Sequence, residues 1–236
     1  MLFLLPEALI SVIIIMFTER VSEMIKGAIF DMDGTLLDSM YYWNNLAEIF
    51  VKSLGVKVKE PMPKYIEGKT YRETIVENVR KYFPDMSYED FIEGCFEHIK
   101  VLYRTEIQPK KGAVEFLQKL QSMGVRICMA TATDKEFLIP ALERLDMMKY
   151  FERITTCSEV GIGKSDPLIF RDCLEFLGTE KEYTYIFEDA LYAIKTAKAD
   201  NFKVCGIYDE NEKEQDEIKA LSDIYVTDYE EFFKFI

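Results

Sequence analysis

Residues Lys26–Ser39 read KGAIFDMDGTLLDS. The opening is a short apolar run of the kind that forms a buried strand. It stops on Asp31 and Asp33, and Gly34-Thr35 follow as a tight turn. Such a turn keeps both carboxyl groups near one point. Carboxylates that close oppose each other's ionisation, so either a cation settles between them or one keeps its proton. Both states are useful: Mg²⁺ takes carboxylate oxygens, and a protonated carboxyl is a general acid. Taken alone, the string also fits a calcium-type acidic loop or a solvated turn. The rest of the chain decides between these.

From about Ser39 to Leu54 the pattern is helical, and Pro61 and Pro63 end it. Helices are predicted again over Tyr71–Tyr82 and Tyr88–Thr105, before Pro109 and Gly112 break the pattern. Beyond them the rhythm alternates. Helix 112–122, strand VRICMAT, helix 134–145, strand RITTC, helix 166–177, strand YTYIF, helix 190–199 and strand KVCGI follow in turn. A weak strand, DIYVT, precedes a C-terminal helix. Strands alternating with helices predict an α/β fold, a Rossmann-like parallel sheet with helices on both faces. The stretch 42–108 is an all-helical insertion after the first strand. Ligands of such sheets gather at the C-terminal strand ends. Those ends here carry Asp31 and Asp33, Thr131, and Glu188 with Asp189.

The chain has 236 residues, 49% of them apolar and 30% charged, which fits one large globular domain or a core plus a smaller module. A formal net charge of −13 repels nucleic acid and anionic lipid headgroups, so neither is an expected partner. An anion site therefore needs a local lysine, backbone N–H groups or a metal. Cys95, Cys128, Cys157, Cys173 and Cys205 are odd in number and form no CxxC pair, which reads as reduced thiols in a cytoplasmic protein. The single histidine, His98, excludes a His-based zinc cluster and argues against a Ser-His-Asp triad. Residues 1–17 are very apolar but carry Pro6 and Glu7 and lack a basic leader. Residues 1–23 are expected to be an extension upstream of the fold, with Met24 a natural start. The readings are a start-site artefact, a helix packed on the domain or a membrane, and a true anchor. Membrane contact is expected only if those 17 residues are genuine.

The ordered set of motifs resembles the haloacid dehalogenase-like hydrolase superfamily, in the helical-cap phosphatase branch related to phosphoglycolate phosphatase and β-phosphoglucomutase. DMDGTLLDS, MATAT ending its strand at Thr131, Lys164 in GIGKSDPLIF, and FEDA with Glu188 and Asp189 stand in the family's order. The resemblance implies a core of residues 24–41 plus 109–236 and a helical cap of residues 42–108. It implies that Asp31 attacks phosphorus and becomes an aspartyl-phosphate. Asp33 then serves as acid and base. Mg²⁺ is expected on the Asp31 carboxylate, the Asp33 backbone carbonyl and Asp189, with Glu188 supporting it. Thr131 and Lys164 are expected to hold the phosphoryl oxygens. The ordinary readings of these residues are a helix cap for Thr131, a solvated loop lysine for Lys164, and an acidic first helical turn for Glu188-Asp189. Ser165, Leu168 and Ala193 depart from the branch's usual pattern, at positions that shape loops and packing.

Asp33 argues against a dehalogenase or a phosphonatase, which replace it. The relatives that act as β-phosphoglucomutases carry a hinge histidine where this chain has Trp43. A phosphatase acting on a small phosphorylated metabolite is the leading expectation. A phosphomutase is the first alternative, and a binding module on a retired site the second. Gly68, Lys69 and Arg72 in EGKTYRET, with Trp43 at the hinge beside Tyr41 and Tyr42, are the candidate substrate contacts. The competing reading makes Lys69 and Arg72 solvated and Trp43 core. The acidic run Asp209–Glu217 reads as a solvated helix face. Oligomeric state leaves no trace in the sequence.

Overall fold

A computed structural model describes residues 25–59, 62 and 82–235. Its centre is a six-stranded sheet, with every neighbouring pair parallel. The strands are β1 (Gly27–Phe30), β2 (Arg126–Thr131), β3 (Arg153–Thr156), β4 (Thr184–Glu188), β5 (Lys203–Ile207) and β6 (Ile224–Val226). They lie in the order β3-β2-β1-β4-β5-β6. The first strand is therefore central, with Gly27 aligned to Arg126 on one side and Thr184 on the other.

The strands are apolar on both faces because both faces are covered. Alternate residues point opposite ways. Ala28, Phe30, Ile127, Met129, Tyr185 and Phe187 enter one core, and Ile29, Cys128, Ala130 and Ile186 enter the other. Helices α4 (Ala113–Ser122) and α5 (Lys135–Arg144) cover the first face. Helices α7 (Leu168–Leu177), α8 (Leu191–Ala199) and α9 (Gln215–Leu221) cover the second. A one-turn helix α6 (Cys157–Val160) starts on a reciprocal cap between Thr156 and Glu159. On the first face Phe30 stacks on Phe187, ring centroids 4.2 Å apart, and Phe116 meets both edge-on.

Between β1 and α4 the described chain is helical: α1 (Met40–Asn44), α2 (Leu46–Ser53) and α3 (Tyr88–Thr105). Ser87 starts α3 by accepting the Asp90 N–H at 3.0 Å. Phe50 of α2 lies so close to Gly94 of α3 that a Cβ there would fall 2.3 Å from its ring. The entry and exit of this stretch run side by side. Asp38 N–H donates to the Gln108 carbonyl at 2.9 Å, and Lys110 N–H to that of Leu36 at 2.8 Å.

Several local expectations change. The helix predicted from Ser39 to Leu54 is broken at Asn45 into α1 and α2. The predicted C-terminal helix is a 3₁₀ segment, Tyr229–Lys234, whose buried Tyr229 and Phe232 recur at its three-residue period. Nor is Asp209–Glu217 a solvated helix face throughout. α9 begins only at Gln215, and Asp209 is buried in an ion pair with Lys110 at 2.8 Å. The helix predicted over Tyr71–Tyr82 lies, except for Tyr82, outside the described residues, as do residues 1–23. Among the described residues no helix is long and apolar enough to cross a membrane. The five cysteines are free thiols, four buried and Cys157 half-buried.

Candidate active site

From β1 the chain runs outward to β2 and β3, then crosses back to β4 and runs outward the other way through β5 to β6, and the crevice of such a sheet opens at that switch point between β1 and β4. Asp31 directly follows β1, and its N–H extends the ladder to the Phe187 carbonyl at 2.9 Å. Glu188 is the last residue of β4 and Asp189 the next. Strand pairing alone thus carries three carboxyl groups to one edge. They offer ligand oxygens within 4.8 Å of one another, and all three residues are buried. The stacked rings of Phe30 and Phe187 lie immediately before them on the two strands.

Lys164 is the counter-charge. Its Nζ donates to Asp31 Oδ1, and to Glu188 Oε2 at 2.8 Å, with the side chain only 2% exposed. It is not a solvated loop lysine. Burial disfavours its charge, but Asp31 and Glu188 outweigh burial and hold the ammonium above its ordinary range. Burial also pushes the Asp31 carboxyl up to about 8 from 3.8, against the pull of Lys164 and with the help of Glu188 and Asp33. Asp189 is raised well above its ordinary value by burial, then by Glu188 and Asp31. A 2.8 Å hydrogen bond from the Thr35 hydroxyl pulls the other way. Lys164 alone cannot balance the full charge of the three carboxyl groups in this buried space. That excess, with an all-oxygen donor set, fits a divalent cation such as Mg²⁺.

The turn after β1 makes this packing possible. Gly34 has φ +83°, and a Cβ on it would fall 2.2 Å from Asp189 Oδ2. Gly34→Ala is expected to cost at least about 2 kcal/mol through its left-handed backbone alone. It should also displace Asp189. The check is thermal melting with and without Mg²⁺: the variant melts roughly 4–8 °C lower and gains less from the metal than wild type.

Thr131 ends β2 and is buried, and its Oγ1 accepts the Thr133 N–H at 3.1 Å. It does not cap the next helix, whose N-cap is Asp134. Glu188 and Asp189 lie just ahead of the Ala190 N-cap of α8, and Glu188 Oε1 accepts the Ala190 N–H at 3.3 Å. That local role accompanies the bond to Lys164.

Asp33 is held by hydroxyl groups. Oδ1 accepts from Ser39 at 2.5 Å and from the Tyr103 hydroxyl, and Oδ2 accepts from Thr133 at 2.7 Å. Ser39, Tyr103 and Thr133 were not anticipated as site residues. Ser39 stands within the opening motif, where a hydroxyl six positions beyond Asp33 was a readable signal. Tyr103 and Thr133 lie 70 and 100 positions away, and no local pattern connects them to it.

A cavity of about 340 Å³ contains Asp31, Asp33, Thr131, Lys164, Glu188 and Asp189 in its lining. Trp43, Met40 and Tyr192 supply apolar wall, the latter two also unanticipated. Trp43 is half-buried, and its Nε1 donates to the Tyr103 hydroxyl at 2.8 Å. Gly68, Lys69 and Arg72 lie outside the described residues.

Residues 25–199 match the family model of the haloacid dehalogenase-like hydrolases. A phosphorylated carbohydrates phosphatase of Thermotoga maritima is 28% identical over 174 residues, covering 74% of this chain and 81% of its own. Hexitol phosphatase B of Escherichia coli (strain K12) is 23% identical, over 74% of this chain and 80% of its own. Among solved structures, a Thermotoga maritima protein provisionally named as a β-phosphoglucomutase superposes with a TM-score of 0.73 at 25% identity. That match covers 89% of this chain and 97% of the other.

Proposed function

This chain belongs to the haloacid dehalogenase-like hydrolases and is a phosphoric monoester hydrolase, and we propose that it frees inorganic phosphate from a sugar phosphate or similar small metabolite through a phosphorylated Asp31. The observation that carries the reading is the buried cluster of Asp31, Lys164, Glu188 and Asp189, with Asp33 lining the same cavity. The names of the relatives, one acting on phosphorylated carbohydrates and one on hexitol phosphate, support the substrate class.

In the first half-reaction an Asp31 oxygen bonds to phosphorus while the bond from phosphorus to the leaving oxygen breaks. Asp33 gives its proton to that oxygen, and the alcohol departs. In the second, water attacks phosphorus and passes a proton to Asp33. The Asp31–phosphorus bond then breaks, restoring the carboxylate and releasing phosphate. Lys164 and Thr131 hold phosphoryl oxygens throughout. Asp31, Asp189 and the Asp33 carbonyl, with Glu188 in support, would hold Mg²⁺, which when bound would supply charge that offsets repulsion between the nucleophile and the phosphate. Residues 42–108 act as the cap over this site, on a core of residues 24–41 and 109–236. Trp43, on the cavity wall, and Gly68, Lys69 and Arg72, in the cap stretch, are the proposed substrate contacts. The free thiols suit a reducing compartment, and the cytoplasm is the proposed location.

A phosphomutase reading draws on the name of one structural neighbour. Against it stands Trp43, whose single N–H is committed to Tyr103 and which has no proton to exchange. A panel of phosphate monoesters assayed with Mg²⁺ and with chelator tests the proposal. Phosphate release is expected with the metal and at least about 100-fold less without it. Turnover of no ester would favour a binding module. Conversion of β-glucose 1-phosphate to glucose 6-phosphate without free phosphate would favour the mutase.

A further inference from the structure

We infer that Tyr103 is a positioning residue for Asp33, aiming the acid–base carboxyl at the leaving oxygen. The inference rests on the phosphatase reading above. A carboxyl that must deliver a proton has to sit within hydrogen-bond reach of one atom, yet an aspartate side chain rotates about two bonds. Here three hydroxyl groups hold it. Ser39 comes from the turn after β1 and Thr133 from the loop after β2. Tyr103 comes from α3, near its C-terminal end, and is completely buried.

Two further contacts fix the phenol itself. Trp43 Nε1 donates to its oxygen at 2.8 Å, which directs the single hydroxyl proton to Asp33. The indole ring also meets the phenol edge-on, centroids 6.4 Å apart. At the backbone, the Arg144 guanidinium of α5 donates to the Tyr103 carbonyl at 3.2 and 3.1 Å and to the Ile107 carbonyl. A cation on the last carbonyls of a helix is a stable arrangement. Tyr103 is thereby tied to the helix layer over the sheet, and its hydroxyl reaches Asp33 from a fixed base.

Tyr103→Phe keeps the ring and removes the hydroxyl. Two esters of matched shape isolate the effect in single turnovers with Mg²⁺ and enzyme in excess. 4-Nitrophenyl phosphate loses a stable anion and needs no proton donor, whereas phenyl phosphate does. Release of phenol is expected to slow roughly 10–100-fold, part of what general acid catalysis supplies. The first turnover of nitrophenolate is expected to change less than about 3-fold. Equal slowing of both esters, or slowing of neither, overturns the inference. Trp43→Phe removes the orienting N–H and should give the same split at smaller size, which keeps the test open if Tyr103→Phe melts below assay temperature. Phe91→Leu, in the core of α3 away from Asp33, should show no split. If wild-type enzyme releases phosphate from no ester in the panel, the phosphatase reading fails and takes this inference with it.

Discussion

Asp31→Asn is expected to lower phosphate release by on the order of 10⁴-fold or more, the scale on which loss of a nucleophile acts. The amide matches the carboxylate in shape but presents no anionic oxygen to phosphorus. Stability should move the other way. The Asp31 carboxyl sits at about 8 in the fold against an ordinary 3.8, because of burial first, and Glu188 and Asp33 add to the shift. A group raised on folding contributes its full stability below about pH 4, and that contribution is lost as pH rises toward 8. Metal-free wild type should therefore lose melting temperature across this window. Asp31→Asn should lose less and melt no lower than wild type at pH 8. Activity above about 1% of wild type in a correctly folded Asp31→Asn protein would remove the covalent mechanism.

Lys164→Met is expected to damage both turnover and stability. The ammonium is the buried partner of Asp31 and Glu188. Its removal leaves buried carboxylates uncompensated, a loss of about 3 kcal/mol, or roughly 6–12 °C for a chain of this size. The loss has a definite pH sign. Carboxyl groups already raised by burial rise further without Lys164, so the variant recovers stability as pH falls toward 5 and they take up protons. Mg²⁺ should restore part of the melting temperature at pH 8, since it replaces part of the missing charge. It should not restore the rate, which falls about 10²–10³-fold with the loss of a phosphoryl-holding group. Equal melting temperatures of variant and wild type at pH 8 without metal would show that Lys164 is not the counter-charge.

The sheet was legible because its strands are short, apolar and terminated by acids or threonine, and that pattern survives folding unchanged at Phe30-Asp31 and Phe187-Glu188. Helix ends were less so. Nothing in MYYWNNLAEIF announces the break at Asn45, where tertiary packing of Leu46, Ala47 and Phe50 overrides local preference. Charge runs misled in one place. Asp209 opens an acidic stretch, but a lysine far along the chain, Lys110, draws it inside. The same limit explains the surroundings of Asp33. Its motif was visible, whereas the hydroxyl groups that hold it come from elements whose proximity is a product of topology. Ala193, read as a departure, is completely buried in α8 against the second face of the sheet, a packing position.

The central place of β1 bears on how the protein is made. β1 is synthesised before the other five described strands, and both its partners follow much later. Gly27 waits for Arg126 on one edge and for Thr184 on the other. Pairings this distant in sequence are slow to form and expose a bare strand edge meanwhile. Asp31 is thus translated early, but its neighbours Glu188 and Asp189 arrive more than 150 residues later. A nascent chain halted before Thr184 carries Asp31 with no acidic partner from β4, so chemical competence comes in one late step with closure of the sheet's middle.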